Sequence, residues 1–307
     1  GHRLWNETRI ALFERSVDTR STHQSSRGIR PRVHFGDRWV KDSILELFRE
    51  DISRQRVVLG IELEEEALQV VESGGVPELN ALRLHNGTVY RWNRPCYGVV
   101  GDIAHLRIEN RVLPAGPTIL DEIANAAFFF GLMASLIDEY GPISQKMNFD
   151  DAKNNFFAAA QHGLKAQFSW LDGKTRTAGE LIAEHLLPMA EQGLKSSGID
   201  SADVDRYLGV ICERVKAERT GASWMLSSLA GMGDKGTADL RVRQLTATIK
   251  EQQHSGAALH EWPLAVLEEK RGRNWRSSYQ TVGQIMTSDL FTVRPDDIVD
   301  LAASVME

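Results

Sequence analysis

The segment from His105 to Met133, HLRIENRVLPAGPTILDEIANAAFFFGLM, leaves this chain few ways to fold. A strand sends alternate side chains to opposite faces. HLRIENRVL therefore sets Arg107, Glu109 and Arg111 on one side and Leu106, Ile108, Asn110 and Val112 mainly on the other. Pro114, Gly116 and Pro117 end the strand. Thr118 then stands as a helix N-cap, with Asp121 and Glu122 in the first turn, where acids complement the helix dipole. Ile119, Ile123, Ala126, Ala127, Phe130 and Met133 recur at helical spacing, which predicts a nearly all-apolar buried helix. An ionic strand is thus tied through a rigid turn to a packed helix.

Charges gathered on one face of a strand oppose packing unless that face lines a polar cleft. Two guanidiniums flanking a carboxylate suit a phosphate with its metal, since Arg forks bind phosphoryl oxygens and a carboxylate holds a divalent cation. An exposed strand with self-compensating charges has the same pattern. Both readings stay open on the residues alone.

Arg107-Ile108-Glu109-Asn110-Arg111, the Pro114 to Pro117 turn and the helix carrying Asn125, Ala126 and Ala127 resemble the ATP-dependent carboxylate–amine ligases of the glutamate–cysteine ligase type, which share a catalytic sheet with glutamine synthetase. ALFERSVDTR, RPRVHFGDRWV, LHNGTVYRWNRPCYG and RTGASWM are similar to the same group, and the likeness runs over roughly residues 8 to 265. The resemblance implies Glu109 as a metal ligand near the β- and γ-phosphates. It implies Arg107 on ATP phosphate, Arg111 steadying the phosphoryl group in transit or the acyl phosphate, and Arg91 and Arg94 as further ATP contacts. Arg219 would meet a substrate carboxylate, although an Arg–acid pair beside a packed Trp explains it equally well. The implied cofactors are ATP and Mg²⁺, and the implied substrates are glutamate and cysteine or analogues. In the implied reaction a carboxylate is phosphorylated and an amine attacks the acyl phosphate. That chemistry rests on charge neutralisation and positioning. GIELEEE looks superficially like the family's opening metal strand, but its acids run on into a helix-like stretch and are read as a solvated helix start.

Composition fits an ordinary soluble globular protein, at 42% hydrophobic and 25% charged residues in a chain of 307. A net charge of −6 argues against a general nucleic-acid binder. The two cysteines, Cys96 and Cys212, form no CxxC pair, so a reducing cytoplasm is the simplest compartment. AAFFFGLMASLI is read as too short to span a bilayer, and no membrane partner or signal peptide is expected. The histidines are scattered; His34, His85, His105, His185 and His260 read as packing residues, with His105 sharing the face of Arg107. A homo-oligomer is compatible with the sequence, which does not fix the oligomeric state.

The expected fold class is α+β, with a partial antiparallel sheet of the glutamine-synthetase-like type packed on a predominantly helical subdomain. Residues 1–140 are assigned to the C-terminal part of the catalytic domain, 141–265 to the helical subdomain, 266–280 to a linker and 281–307 to the truncated start of a CBS domain. That last assignment rests on TVGQIMTSDLFTVRPDDIVDLAASVME, which resembles the opening of such a repeat. A complete CBS pair would bind adenine nucleotide in the parent protein, and no nucleotide contact is assigned here. STHQSSRGIRPR reads as a loop. A helix is expected over 39–54 with Asp42 as its cap, and Asn86-Gly87 as the turn of a hairpin. Further helices are expected over 150–171, 177–196 with a kink at Pro188, 201–218 and 237–253.

The family's amino-terminal strands, with most of its metal carboxylates, are expected to lie outside this chain, which predicts a fragment with little or no ligase activity. The alternative is a non-catalytic regulatory or scaffold protein that retains the ligase framework. A guanidino-kinase-like enzyme also uses Arg clusters with ATP, but no Cys stands in a matching context.

Overall fold

A computed structural model describes residues 5–60, 62 and 65–267. The fold is α+β, with strands confined to small two-stranded pairs. In chain order the main elements are α1 (Thr8–Ser16), β1 (Val33–His34), α2 (Leu45–Arg54), α3 (Asn80–Gly87), β2 (Tyr90–Arg91), β3 (Asn93–Val100) and β4 (Ile103–Asn110). Then follow α4 (Ile119–Tyr140), α5 (Phe149–His162), β5 (Gln167–Ser169), β6 (Thr175–Thr177), α6 (Leu187–Ser196), α7 (Ser201–Lys216), α8 (Gly221–Met232) and α9 (Ala238–Ser255). β1 and β2 pair in parallel, whereas β3–β4 and β5–β6 are antiparallel.

The described residues up to Val266 cohere as one compact unit. Within it α4 packs chiefly on α6 and α7. The linker from Glu268 onward and the CBS-like segment lie outside the described residues. One core gathers Ala124 of α4 with Leu187, Ala190 and Leu194 of α6 and Val204, Leu208 and Ile211 of α7. A second, aromatic core surrounds the buried Trp92: Phe13 of α1 and Phe156 of α5 lie 6.0 and 5.6 Å from it, centroid to centroid.

Thr118 caps α4 as expected, its hydroxyl accepting the Asp121 N–H. The buried side is not the stripe expected from the sequence, however: Ala124 lies in the core with Leu120, Ala127, Phe128 and Leu132 packed against it. Ile119 is 78% exposed, Phe130 63% and Met133 60%, while Asp121 is fully buried. The carboxylate of Asp121 accepts hydrogen bonds from the Thr118 hydroxyl and the Leu259 N–H, and Arg214 lies 3.5 Å away. Local capping and a tertiary ion pair thus help to set which apolar residues of the helix face inward. At 22 residues with a hydropathy of 1.5, α4 is also long and apolar enough, by length and composition, to cross a membrane, contrary to the sequence reading. In this structure its Asp121, Ala124, Gly131 and Ser135 side is buried in protein.

Local chemistry moved other boundaries. Asn86-Gly87 ends a helix and is no hairpin turn, because Asn86 is buried with its amide donating to the Pro95 carbonyl. The hairpin turn is Gly101-Asp102, both at positive φ (55° and 62°), as a tight β-turn requires. Helix α2 begins at Leu45 because the Glu46 carboxylate accepts the N–H groups of Lys41, Asp42 and Ser43, so Asp42 is no cap. The expected loop at 21–32 holds a short helix, Thr22–Ser26, closed by a Ser21–Gln24 capping box. The helix expected over 150–171 stops at His162 and gives way to the β5–β6 hairpin. Around Pro188 the interruption is real: residues 182–186 form a π-turn before α6.

A buried ionic knot holds α2 to β2. The Arg91 guanidinium donates to both oxygens of Asp51 and to Glu50, and Arg30 forms ion pairs with Glu50 and Asp37. His34 is enclosed beside them; burial, then the charges of Arg91 and Arg30, push its pKa down to about 2. Burial raises the Glu50 carboxyl, but hydrogen bonds from Arg91 and Arg30 outweigh it and hold the pKa at about 2.

At Gly193 an added Cβ would stand 2.0 Å from the Gly131 carbonyl oxygen, whereas at Gly209 it meets nothing within 4 Å. Gly193→Ala is expected to lower unfolding free energy by about 1–3 kcal/mol, and Gly209→Ala to leave it unchanged or raise it by up to about 1 kcal/mol; urea titrations compare them. His34 and Glu50 both sit below their ordinary values of 6.5 and 4.5, so as pH falls the unfolded chain takes up protons that the native state refuses. Stability should therefore decline from about pH 6.5 toward pH 2. His34→Gln should flatten the part above pH 4.5 and lessen the slope below it, whereas Glu50→Gln should lessen only the slope below pH 4.5, read as urea midpoints at stepped pH.

Candidate functional site

The ladder between β3 and β4 fixes the site. Asn93 faces Asn110, and the register continues to Val100 opposite Ile103. Directly opposed residues share a face in an antiparallel pair. Arg94 with Glu109, Cys96 with Arg107 and Gly98 with His105 therefore line one side. Pro95 with Ile108 and Tyr97 with Leu106 occupy the other. The period-two row read from the sequence is thus a real face.

Its ionic partners are specific. The Arg94 guanidinium grips one oxygen of Glu109 through Nε at 2.7 Å and Nη2 at 2.6 Å. The Arg111 guanidinium lies 3.6 Å from the same oxygen and packs over the Tyr90 ring, 5.4 Å from its centroid. Arg94 also donates to the carbonyls of Asn86 and Gly87 at the end of α3, where a cation complements the helix dipole. Arg107 Nη1 lies 2.9 Å from His105 Nε2. Gly98 makes room for that pair, since a Cβ there would fall 2.7 Å from the His105 ring.

Beside this face lies a cavity of about 340 Å³ lined by Arg83, Asn86, Arg94, Cys96, His105 and Arg107, among others. That volume is within the usual range for small-ligand pockets. Asn86 is 6% exposed, and its buried amide oxygen has no hydrogen-bond partner among the described residues. With three guanidiniums around it, the cavity is chemically fit for an anionic ligand.

The structure gathers Arg94, Arg107, Glu109 and Arg111 and leaves two of the sequence-assigned residues elsewhere. Arg91 is 3% exposed and committed to Asp51 and Glu50, so it is not available as an ATP contact in this arrangement. Arg219 donates to the His260 and Trp262 carbonyls and pins the segment after α9, beside the Trp224–Trp262 pair. Neither lines the cavity. Among the described residues no three His, Cys, Asp or Glu side chains cluster as a metal would need. Glu109 is the carboxylate on the ionic face, and both arginines beside it neutralise it.

Sequence reasoning missed Arg83, Asn86 and Cys96. Arg83, Asn86 and Gly87 recur at helical spacing, a signal hidden by reading Asn-Gly as a turn. Cys96 follows only from the β3–β4 register, which depends on placing the turn at Gly101-Asp102. Searches against family descriptions, curated proteins and solved structures find no match to this chain.

Proposed function

We propose that this chain carries part of the catalytic face of an ATP-dependent carboxylate–amine ligase of the glutamate–cysteine ligase type. The observation that supports it is the shared face of Arg107, Glu109 and Arg94, with Arg111 joined to Glu109 and with Arg94 and Arg107 lining the adjacent cavity. Bound ATP would supply the phosphoryl group that activates a carboxylate toward an amine. In that reaction Arg107 holds phosphoryl oxygens, and Arg94 orients Glu109 from the neighbouring strand. Arg111, stacked on Tyr90, presents a fixed positive charge to the acyl phosphate. The guanidiniums fit the triphosphate. The fit to Mg²⁺ is incomplete, because Glu109 contributes a single carboxylate and the described residues gather no further ligands around it.

That incomplete metal set also favours a second reading, a non-catalytic regulatory or scaffold protein built on the same framework. The substrates proposed for the enzyme are glutamate and cysteine or analogues. The compartment proposed is the reducing cytoplasm, in keeping with the unpaired thiols of Cys96 and Cys212.

Calorimetry with ATP separates these readings. The ligase reading expects binding that Arg107→Ala weakens about tenfold or more, as loss of a charge-assisted hydrogen bond implies. ATP binding that is absent, or indifferent to Arg107→Ala, sinks it and favours the scaffold. With glutamate, cysteine and Mg²⁺, a coupled ADP-release assay of this chain should show no turnover; robust turnover would overturn the inactivity expected from a single carboxylate.

A further inference from the structure

Strand β4 has a second edge, and among the described residues no strand pairs with it. The ladder phase tells which backbone groups face outward there. The Arg111 N–H donates to the Trp92 carbonyl at 2.9 Å, one step beyond the Asn93–Asn110 pair. Bonded and non-bonded pairs alternate in an antiparallel ladder. Glu109, Arg107 and His105 therefore turn their N–H and C=O toward β3, while Asn110, Ile108, Leu106 and Ala104 turn theirs outward. On that edge Leu106 is 57% and Ile108 55% exposed. The strand, IAHLRIEN, carries neither the Pro nor the Lys that usually blunts an open edge.

A second copy of the chain fits this edge in one register better than in its neighbours. Symmetry makes the new pair antiparallel, and outward-facing residues must oppose outward-facing residues. Centring the pair on Arg107 sets the two Arg107 guanidiniums against each other. Centring it on Leu106 sets Glu109 against Ile103. Centring it on Ile108 sets Arg107 against Glu109 of the partner subunit, and Glu109 against the partner's Arg107. The two opposite-charge pairs then flank an apolar Ile108–Ile108 contact, the cross-strand arrangement that stabilises sheets.

We propose that this chain forms a two-fold dimer by antiparallel pairing of β4 with β4 of a second copy, with Ile108 on the axis. The inference is independent of the ligase reading, since it rests on ladder phase and charge pairing and is read as an oligomeric state. A single strand pair is a small interface, so the dimer is expected to be weak, on the order of micromolar.

Sedimentation velocity across roughly 1–100 µM brackets that affinity. The expected result is a reversible monomer–dimer equilibrium. Arg107→Glu opposes two carboxylates twice across the axis and should weaken dimerisation at least about tenfold. Ile108→Pro should abolish it, because the lost N–H points away from β3 and the hairpin keeps its ladder; far-UV circular dichroism checks that each variant is folded. Register is read separately in a C96S/C212S background with a short bismaleimide. I108C should cross-link to itself. I103C should not, since its two copies would lie ten residues apart along the paired strands, about 33 Å. A wild-type chain that stays monomeric, a dimer indifferent to folded Ile108→Pro, or preferential cross-linking at residue 103 overturns the proposal.

Discussion

The ladder between Asn93–Val100 and Ile103–Asn110 governs the chemistry of this molecule. A shift of one residue would turn Arg94 away from Glu109 and send the ionic row to the opposite face. The register is held at both ends. Gly101 and Asp102 adopt the positive φ angles of a tight turn, and beyond the far end the Arg111 N–H bonds to the Trp92 carbonyl. Trp92 is itself locked in an aromatic cluster with Phe13 and Phe156. The ionic face therefore inherits its rigidity from an aromatic core on the other side of the chain path.

Arginine plays three distinct parts here, and burial separates them. Arg91 is enclosed and saturated by Asp51 and Glu50, where removing a partner would strand a buried charge. Arg219 is tied to backbone carbonyls and holds a segment in place. Arg94, Arg107 and Arg111 lie on or beside one strand face, and Arg94 and Arg107 border a cavity as well. Residue type alone cannot sort these roles. The sorting comes from which carboxylate or carbonyl each guanidinium can reach in the folded chain.

The helix after the ionic strand shows a similar competition. Its hydropathy points toward burying Ile119, Phe130 and Met133, yet the buried side carries Asp121, Ala124, Gly131 and Ser135. Small residues let α4 and α6 approach so closely that a Cβ on Gly131 would sit 2.4 Å from the Ala190 carbonyl oxygen. Asp121 is tolerated inside because the Thr118 hydroxyl, the Leu259 N–H and Arg214 all serve it. The apolar residues left outside, like those on the open edge of β4, are surface still able to be buried by association.

By itself the sequence determined the period-two ionic row, the Thr118 cap, the interruption near Pro188 and the α+β class, because each depends on local backbone geometry and short-range hydrogen bonds. It misled at Asn86-Gly87, where a strong turn signal was overridden by a buried amide reaching Pro95, and at Asp42, where the Glu46 side chain took over the capping. Tertiary structure alone decided that Cys96 joins the ionic face and Arg83 the cavity beside it, that Arg91 is consumed by an internal ion pair, and which side of α4 is buried. Those outcomes depend on contacts between residues far apart in the chain, whose energies no local pattern records.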